Sequence, residues 1–206
     1  FLVTDNALFI QASKKDSLFL HADTISAVTR TTPDGKDYRL MRAYFDTRIF
    51  SRDLQGTCDS LSYSFQDSVI RLYNKPVLWS DQNQLTSDSM AIFTVNRQAD
   101  RLELYNSAFV ATQVDDIRFH QVKGRSLTGF FKNNELYKIN ITGNAETIYY
   151  LLDGESVVGI NKAKCARIEI FVSEGKITDI YEYQNPEGTI DPPVKGNTET
   201  SKLDGF

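Results

Sequence analysis

A chain of 206 residues, 41% of them apolar, can bury one sizeable core, and none of its apolar runs approaches the roughly 18 residues that a membrane-spanning helix needs. Twenty-three basic against 27 acidic residues leave a net charge of −4, with no dense basic cluster, which argues against nucleic-acid binding by phosphate neutralisation. Two cysteines, Cys58 and Cys165, make neither a disulfide framework nor a zinc site.

In chain order, the expectation is strands throughout. The chain opens at Phe1 with no charged-then-apolar leader, as a mature or trimmed polypeptide would. The first clear phrase, LFLHADTISAV (Leu18 to Val28), runs to a turn signal at Pro33-Asp34-Gly35. Leu61, Tyr63 and Phe65 then alternate with Ser60, Ser62 and Ser64, which puts each set on one face of a sheet. The run from Ser89 to Tyr105, with Met90 and Ile92 at one end and Leu102 and Leu104 at the other, reads as two strands joined by VNRQAD rather than as a helix. Ile168, Ile170 and Val172 alternate in the same way. Asn133-Asn134, Asp153-Gly154, Ser173-Glu174-Gly175 and Asn185-Pro186-Glu187-Gly188 read as hairpin connections. Ten tyrosines and 13 phenylalanines, with many Val, Ile and Thr, suit a pleated, half-buried surface.

These strands repeat a phrase. Asp23-Thr24-Ile25, Asp59-Ser60-Leu61 and Asp88-Ser89-Met90 share an acidic, small-polar, aliphatic core, and Arg125-Ser126-Leu127 and Ala166-Arg167-Ile168 are degraded copies. After each comes an aromatic run, a turn and a second strand that closes on Asn or Gln and a short return. The period is not fixed, but the unit is consistently two or more strands with a variable loop. Such a unit cannot bury its apolar face alone and must stack on its neighbours. The expected fold is therefore all-β, an elongated stack of repeated strand pairs with one shared interior. Cys58 and Cys165 take equivalent places three repeats apart, so they lie at least roughly 14 Å from one another. A bridge spans no more than about 7 Å between α-carbons, and two free, packed thiols are expected.

Chemistry is harder to find. His21 alternates with Leu20 and Ala22 as a surface strand position would, and His120 has no companion at metal-ligand spacing. The recurring Asp23, Asp59 and Asp88 invite a calcium reading, but the Gly-rich nonapeptide of calcium-binding β-helices is missing. A turn-capping or polar-ladder role fits them better. No Gly-rich phosphate loop occurs. No catalytic residue, metal site or cofactor is assigned, and no enzyme is expected.

DSLFLHADTI (Asp16 to Ile25), followed by CDSLSYSFQDSVIRLYNKPVLWSDQNQLTSDSM (Cys58 to Met90), resembles the OstA-like proteins of lipopolysaccharide transport in their Bacteroidetes form. That family holds the periplasmic bridge protein and the N-terminal region of the outer-membrane assembly protein. The resemblance covers about Val3 to Pro193 and implies a folded-over antiparallel sheet pair, jelly-roll or β-taco-like, open along one side. It places one such domain over residues 1–190 and a linker or tail over 191–206, where SKLDGF resembles the passage to a following segment. It further implies a periplasmic, peripheral protein that carries lipopolysaccharide acyl chains in an apolar groove and joins other transport domains edge to edge. On this reading the groove is lined by Leu61, Tyr63, Phe65, Ile70, Leu72, Met90, Ile92, Leu102, Leu104, Leu127, Ile139, Ile168 and Ile170, with Ile141, Ile148 and Ile180 as further candidates. Head groups would stay in water near cations such as Lys123 and Arg125. The alternative is a β-sandwich carbohydrate-binding or adhesion module with exposed aromatics on one face, for which Trp79 and Tyr149 are the candidates.

Overall fold

The structure, a computed structural model, describes residues 1–12, 17–52, 54–96, 98–133, 135–174, 176–192 and 201–206. Among these there is no helix. The strands are β1 (Leu2–Val3), β2 (Ala7–Gln11), β3 (Leu18–Ala22), β4 (Thr24–Thr31), β5 (Asp37–Phe50), β6 (Gln55–Ser64), β7 (Val69–Tyr73) and β8 (Val77–Ser80). They continue as β9 (Asn83–Thr86), β10 (Ser89–Val95), β11 (Gln98–Gln113), β12 (Phe119–Lys132), β13 (Glu135–Asp153), β14 (Ser156–Ser173), β15 (Lys176–Tyr183) and β16 (Glu187–Asp191). All pair antiparallel in one sheet.

The order β1-β4-β5-β6-β7-β10-β11-β12-β13-β14-β15 forms one path, and the remaining five strands are the other halves of bent rungs. Thus β7 and β8 both pair with β6, β15 and β16 both pair with β14, and β3 and β4 both pair with β5. The molecule is an antiparallel meander of eleven rungs, each creased near its middle. Between the long strands β6 and β11 the pairing closes a ring of six through β7, β10, β9 and β8, because both long strands cross the crease while the rungs between them are broken there. The crease divides the sheet into two limbs. Limb A holds β1, β4, β7, β10 and β15 with residues 37–44, 60–64, 98–105, 126–132, 135–142 and 167–173. Limb B holds β2, β3, β8, β9 and β16 with the other halves of the long strands.

The crease has a residue-level cause. Every second rung carries two consecutive residues in the left-handed region: Asp5-Asn6, Phe45-Asp46, Asn74-Lys75, Asn106-Ser107, Gly143-Asn144 and Gln184-Asn185. Asn, Asp and Gly reach that conformation at least cost, and five of the six pairs contain Asn. Each pair faces a single residue on the neighbouring rung, as the register shifts at Tyr44/Thr47, Tyr105/Ala108 and Thr142/Ala145 record. A two-against-one bulge bends its strand and adds twist, and repeating it down the stack folds the whole sheet along one line. The single residues opposite the bulges are Asp23, Asp59, Asp88, Arg125 and Ala166, the lead positions of the repeated phrase. Their backbone groups close the corner, with Asp23 N donating to Phe45 O at 3.1 Å and Asp88 N to Asn106 O at 3.1 Å. Asn74 Nδ2 also donates to the Asp59 carboxylate at 3.2 Å.

Two sequence expectations change as a result. Asn185-Pro186-Glu187-Gly188 is a crease within a rung rather than a hairpin, since the strands before and after it pair with the same neighbour. The end of the chain does not stand off as a tail: residues 201–206 lie on the outside of limb B. There Gln121, only 1% exposed, donates from Nε2 to Ser201 O and accepts from Leu203 N, both at 2.8 Å, and the Phe206 ring sits 5.3 Å from that of Phe119. Pro33-Asp34-Gly35 and Asp153-Gly154 do make the expected hairpins, with Gly35 and Gly154 at positive φ. Asp16, Asn134, Gly175 and residues 193–200 lie outside the described residues.

Candidate functional site: an apolar trough

Cross-strand register lines up the apolar side chains in rows. Nearest the crease on limb A, Ile25, Ala43, Leu61, Leu72, Met90, Leu104, Leu127, Ile141 and Ile168 stand opposite one another on nine successive rungs, and none is more than 4% exposed. The facing row on limb B is small: Ala7, Ala22, Thr47, Cys58, Pro76, Ser87, Ala108, Gly124, Ala145 and Cys165 are all buried. Large against small is what lets two limbs meet at a closed corner. A Cβ built on Gly124 would come within 2.4 Å of Ile141 Cγ2, so a limb-B position and a limb-A side chain already touch there. The base of the trough is therefore filled by protein.

One step out from the crease the rows loosen. On limb A, Ala27, Met41, Tyr63, Ile70, Ile92, Leu102, Gly129, Ile139 and Ile170 follow one another in register. On limb B the corresponding row is Leu20, Ile49, Gly56, Leu78, Leu85, Val110 and Val122. Tyr63, Ile70, Leu85, Ile92, Leu102, Val110, Val122 and Ile139 are only partly buried and pack against the buried core. Those eight give the second layer its accessible apolar surface, whereas Met41 and Ile170 on limb A and Leu20, Ile49 and Leu78 on limb B belong to the buried core.

The expected lining set thus splits by depth. Leu61, Leu72, Met90, Leu104, Leu127, Ile141 and Ile168 form the sealed base, while Tyr63, Ile70, Ile92, Leu102, Ile139 and Ile170 form the layer above it. Phe65 lies past the end of its strand at the rim, half-exposed, its ring 4.4 Å from that of Tyr63. Ile180 closes the second row at the edge rung, opposite Ile170. Ile148 is a correction: it pairs with Gln121 and Lys162 on the outer parity of β13, one residue out of step with the inward Ala145 and Thr147, and it is buried beneath the docked C-terminal residues. Lys123 and Arg125 are a second correction. Arg125 is at the crease and Lys123 is beside it, ion-paired to Glu146 at 3.8 Å, so both lie on the closed side, away from any head group leaving the mouth. Thr47, Gly124 and the other small residues of the limb-B row escaped the sequence reading, although Cys58 and Cys165 marked it.

Both cysteines are free and buried. Each stands in the small row one residue before the crease, six rungs apart, or about 29 Å at the usual strand spacing. Burial pushes the Cys58 thiol up to about 12, which leaves it a packing group. At the mouth of limb B, the His120 ring stacks on Tyr149 at 4.2 Å and its Nδ1 accepts from Tyr150 N at 3.1 Å. Burial lowers its pKa to about 4, so the ring is neutral at pH 7. Trp79, the other candidate aromatic, is on the outer face of limb B, its Nε1 donating to Gln84 Oε1 at 2.9 Å. Trp79 and Tyr149 consequently share no face. Among the described residues no group of three or more metal-ligating side chains occurs.

These features define a class: an all-β, creased antiparallel meander with a sealed apolar base and a half-open apolar layer above it. No protein-family model matches the chain, and no curated protein matches it.

Proposed function

We propose that the chain is a non-catalytic carrier or scaffold for an amphipathic lipid of the lipopolysaccharide type, acting in the periplasm of a Gram-negative envelope as an OstA-like domain. The observation that carries this reading is the continuous, partly exposed apolar second layer. It runs from Tyr63 to Ile139 on limb A, faces Leu85, Val110 and Val122 on limb B, and is interrupted by no charged side chain. Every methylene laid on such a surface contributes about 0.8 kcal/mol, so acyl chains are held by length and need no specific hydrogen bond.

The edges support association with similar domains. At the N-terminal edge Phe1, Leu2, Val3, Leu8 and Ile10 are all exposed on strands with an open side, a template for strand addition. At the other end the base row finishes on Glu182, opposite Ile168. An inward carboxylate there discourages indiscriminate pairing.

Photocrosslinking in cells tests the proposal. A photoreactive residue at Ile92 or Leu102 should capture lipopolysaccharide, and one at Gln84, exposed on the outer face of limb B, should not. Adducts to protein alone, or equal capture from all three positions, would refute it.

A further inference from the structure

The crease repeat also patterns the outer face of limb A. Next to the crease the register sets Tyr44, Ser60, Tyr73, Ser89 and Tyr105 side by side, bulky on one rung and small on the next. Successive tyrosines are two strand spacings apart, about 9.6 Å. Two of the three hydroxyls are tied down along the sheet: that of Tyr73 pairs with Ser62 Oγ at 3.2 Å and that of Tyr105 donates to Glu103 on its own strand. A ring anchored by its tip to a neighbour in the plane of the sheet lies over that sheet and turns a face to solvent. Tyr73 and Tyr105 are 39% and 38% exposed.

Between Tyr44 and Tyr73 the serines of β6 leave a concavity of about 160 Å³, lined by the two tyrosines, Ser60, Ser62 and Arg42 together with Leu40 and Leu61. The neighbouring Arg71 is neutralised by Asp67 at 2.8 Å. Arg42 carries no ion pair among the described residues. An aromatic face attracts the positively polarised C–H face of a pyranose through its quadrupole, serine hydroxyls exchange hydrogen bonds with sugar hydroxyls, and an unpaired guanidinium takes a carboxylate or phosphate.

We propose that this face is a binding site for an extended acidic oligosaccharide, with its principal subsite between Tyr44 and Tyr73 and every second sugar placed over a tyrosine. Two residues of an extended glycan span about the same distance as two strand spacings, so chain and ladder stay in step. The acidic substituent sits on Arg42. General attraction of polyanions does not account for such binding in a chain of net charge −4. The proposal rests on the outer face alone and stands or falls independently of lipid in the trough.

Calorimetric titration of the full chain with hexagalacturonate, a hyaluronan octasaccharide and neutral cellohexaose tests it. At least one acidic probe should bind, with cellohexaose about tenfold weaker or worse. Tyr73→Ala should weaken acidic binding about tenfold, Arg42→Gln should erase the preference for acidic over neutral, and Ser62→Leu, which fills the concavity and also removes the hydrogen-bond partner of the Tyr73 hydroxyl, should abolish binding. Trp79→Ala, on the other limb, should change nothing, and circular dichroism should show every variant folded. Silence with both acidic probes, equal binding of cellohexaose, or binding that survives Arg42→Gln and Ser62→Leu would each overturn the site.

Discussion

Phe45 occupies a position that suits Asn. It holds φ of 63° and is 60% exposed, so its ring recovers little of the roughly 1–2 kcal/mol that a left-handed conformation costs a bulky L-residue. Phe45→Asn should raise stability by about 1 kcal/mol, read as a higher urea midpoint at unchanged slope. His120 makes the opposite kind of contribution. Its folded pKa, near 4, lies below the ordinary value of about 6.5, so the folded state disfavours the protonated ring. The associated stability is complete above pH 6.5 and is lost as pH falls from 6.5 towards 4, by up to about 3 kcal/mol at the limit. Urea unfolding at pH 7.5 and pH 5 should show the loss, and His120→Gln should flatten it. Protonation would also cancel the Nδ1 acceptor that holds Tyr150 N.

At the scale of the element, the alternation of period two was legible from the sequence because each strand buries one face. Leu61/Tyr63, Met90/Ile92, Leu102/Leu104 and Ile168/Ile170 all lie inward in neighbouring rows for that reason. The repeated acidic phrase was legible too, yet its meaning was not. A lone Asp before a strand looks like a turn cap until its neighbour is seen to bulge opposite it, and that neighbour is distant in sequence. The closing Asn residues of the second strands looked like hairpin ends for the same reason: a crease and a hairpin use the same left-handed chemistry, and only pairing partners tell them apart. Where the limbs meet, Gly124 is required by Ile141. Gly124→Ala should cost about 1–3 kcal/mol through overpacking, and adding Ile141→Val should return part of that loss. Additive losses in denaturant melts would show that the two positions do not touch.

At the scale of the whole molecule, eleven rungs at the usual spacing make a stack about 48 Å long, with two open ends of different character. One is apolar. The other is guarded by Glu182 in line with the base row. Glu182→Leu should extend that row to the edge and strengthen concentration-dependent self-association, measurable by sedimentation velocity. Unchanged sedimentation across a hundredfold range of concentration would show that the carboxylate guards nothing. The docked residues 201–206 protect a further apolar area, formed by Phe109, Ala111, Ile148 and Tyr150, that would otherwise be exposed on limb B.

The amino-acid sequence by itself determined that this protein is all-β, that its strands are two-faced, that a unit recurs and that its thiols stay apart. All of these depend on local periodicity, and period two needs no knowledge of what lies across the sheet. Tertiary structure alone decided that the recurring unit is a crease, that large residues on one limb meet small ones on the other, and that the apolar rows divide into a sealed base and an open layer. Those outcomes depend on which rungs become neighbours and how far their limbs close, and packing between residues remote in the chain sets both.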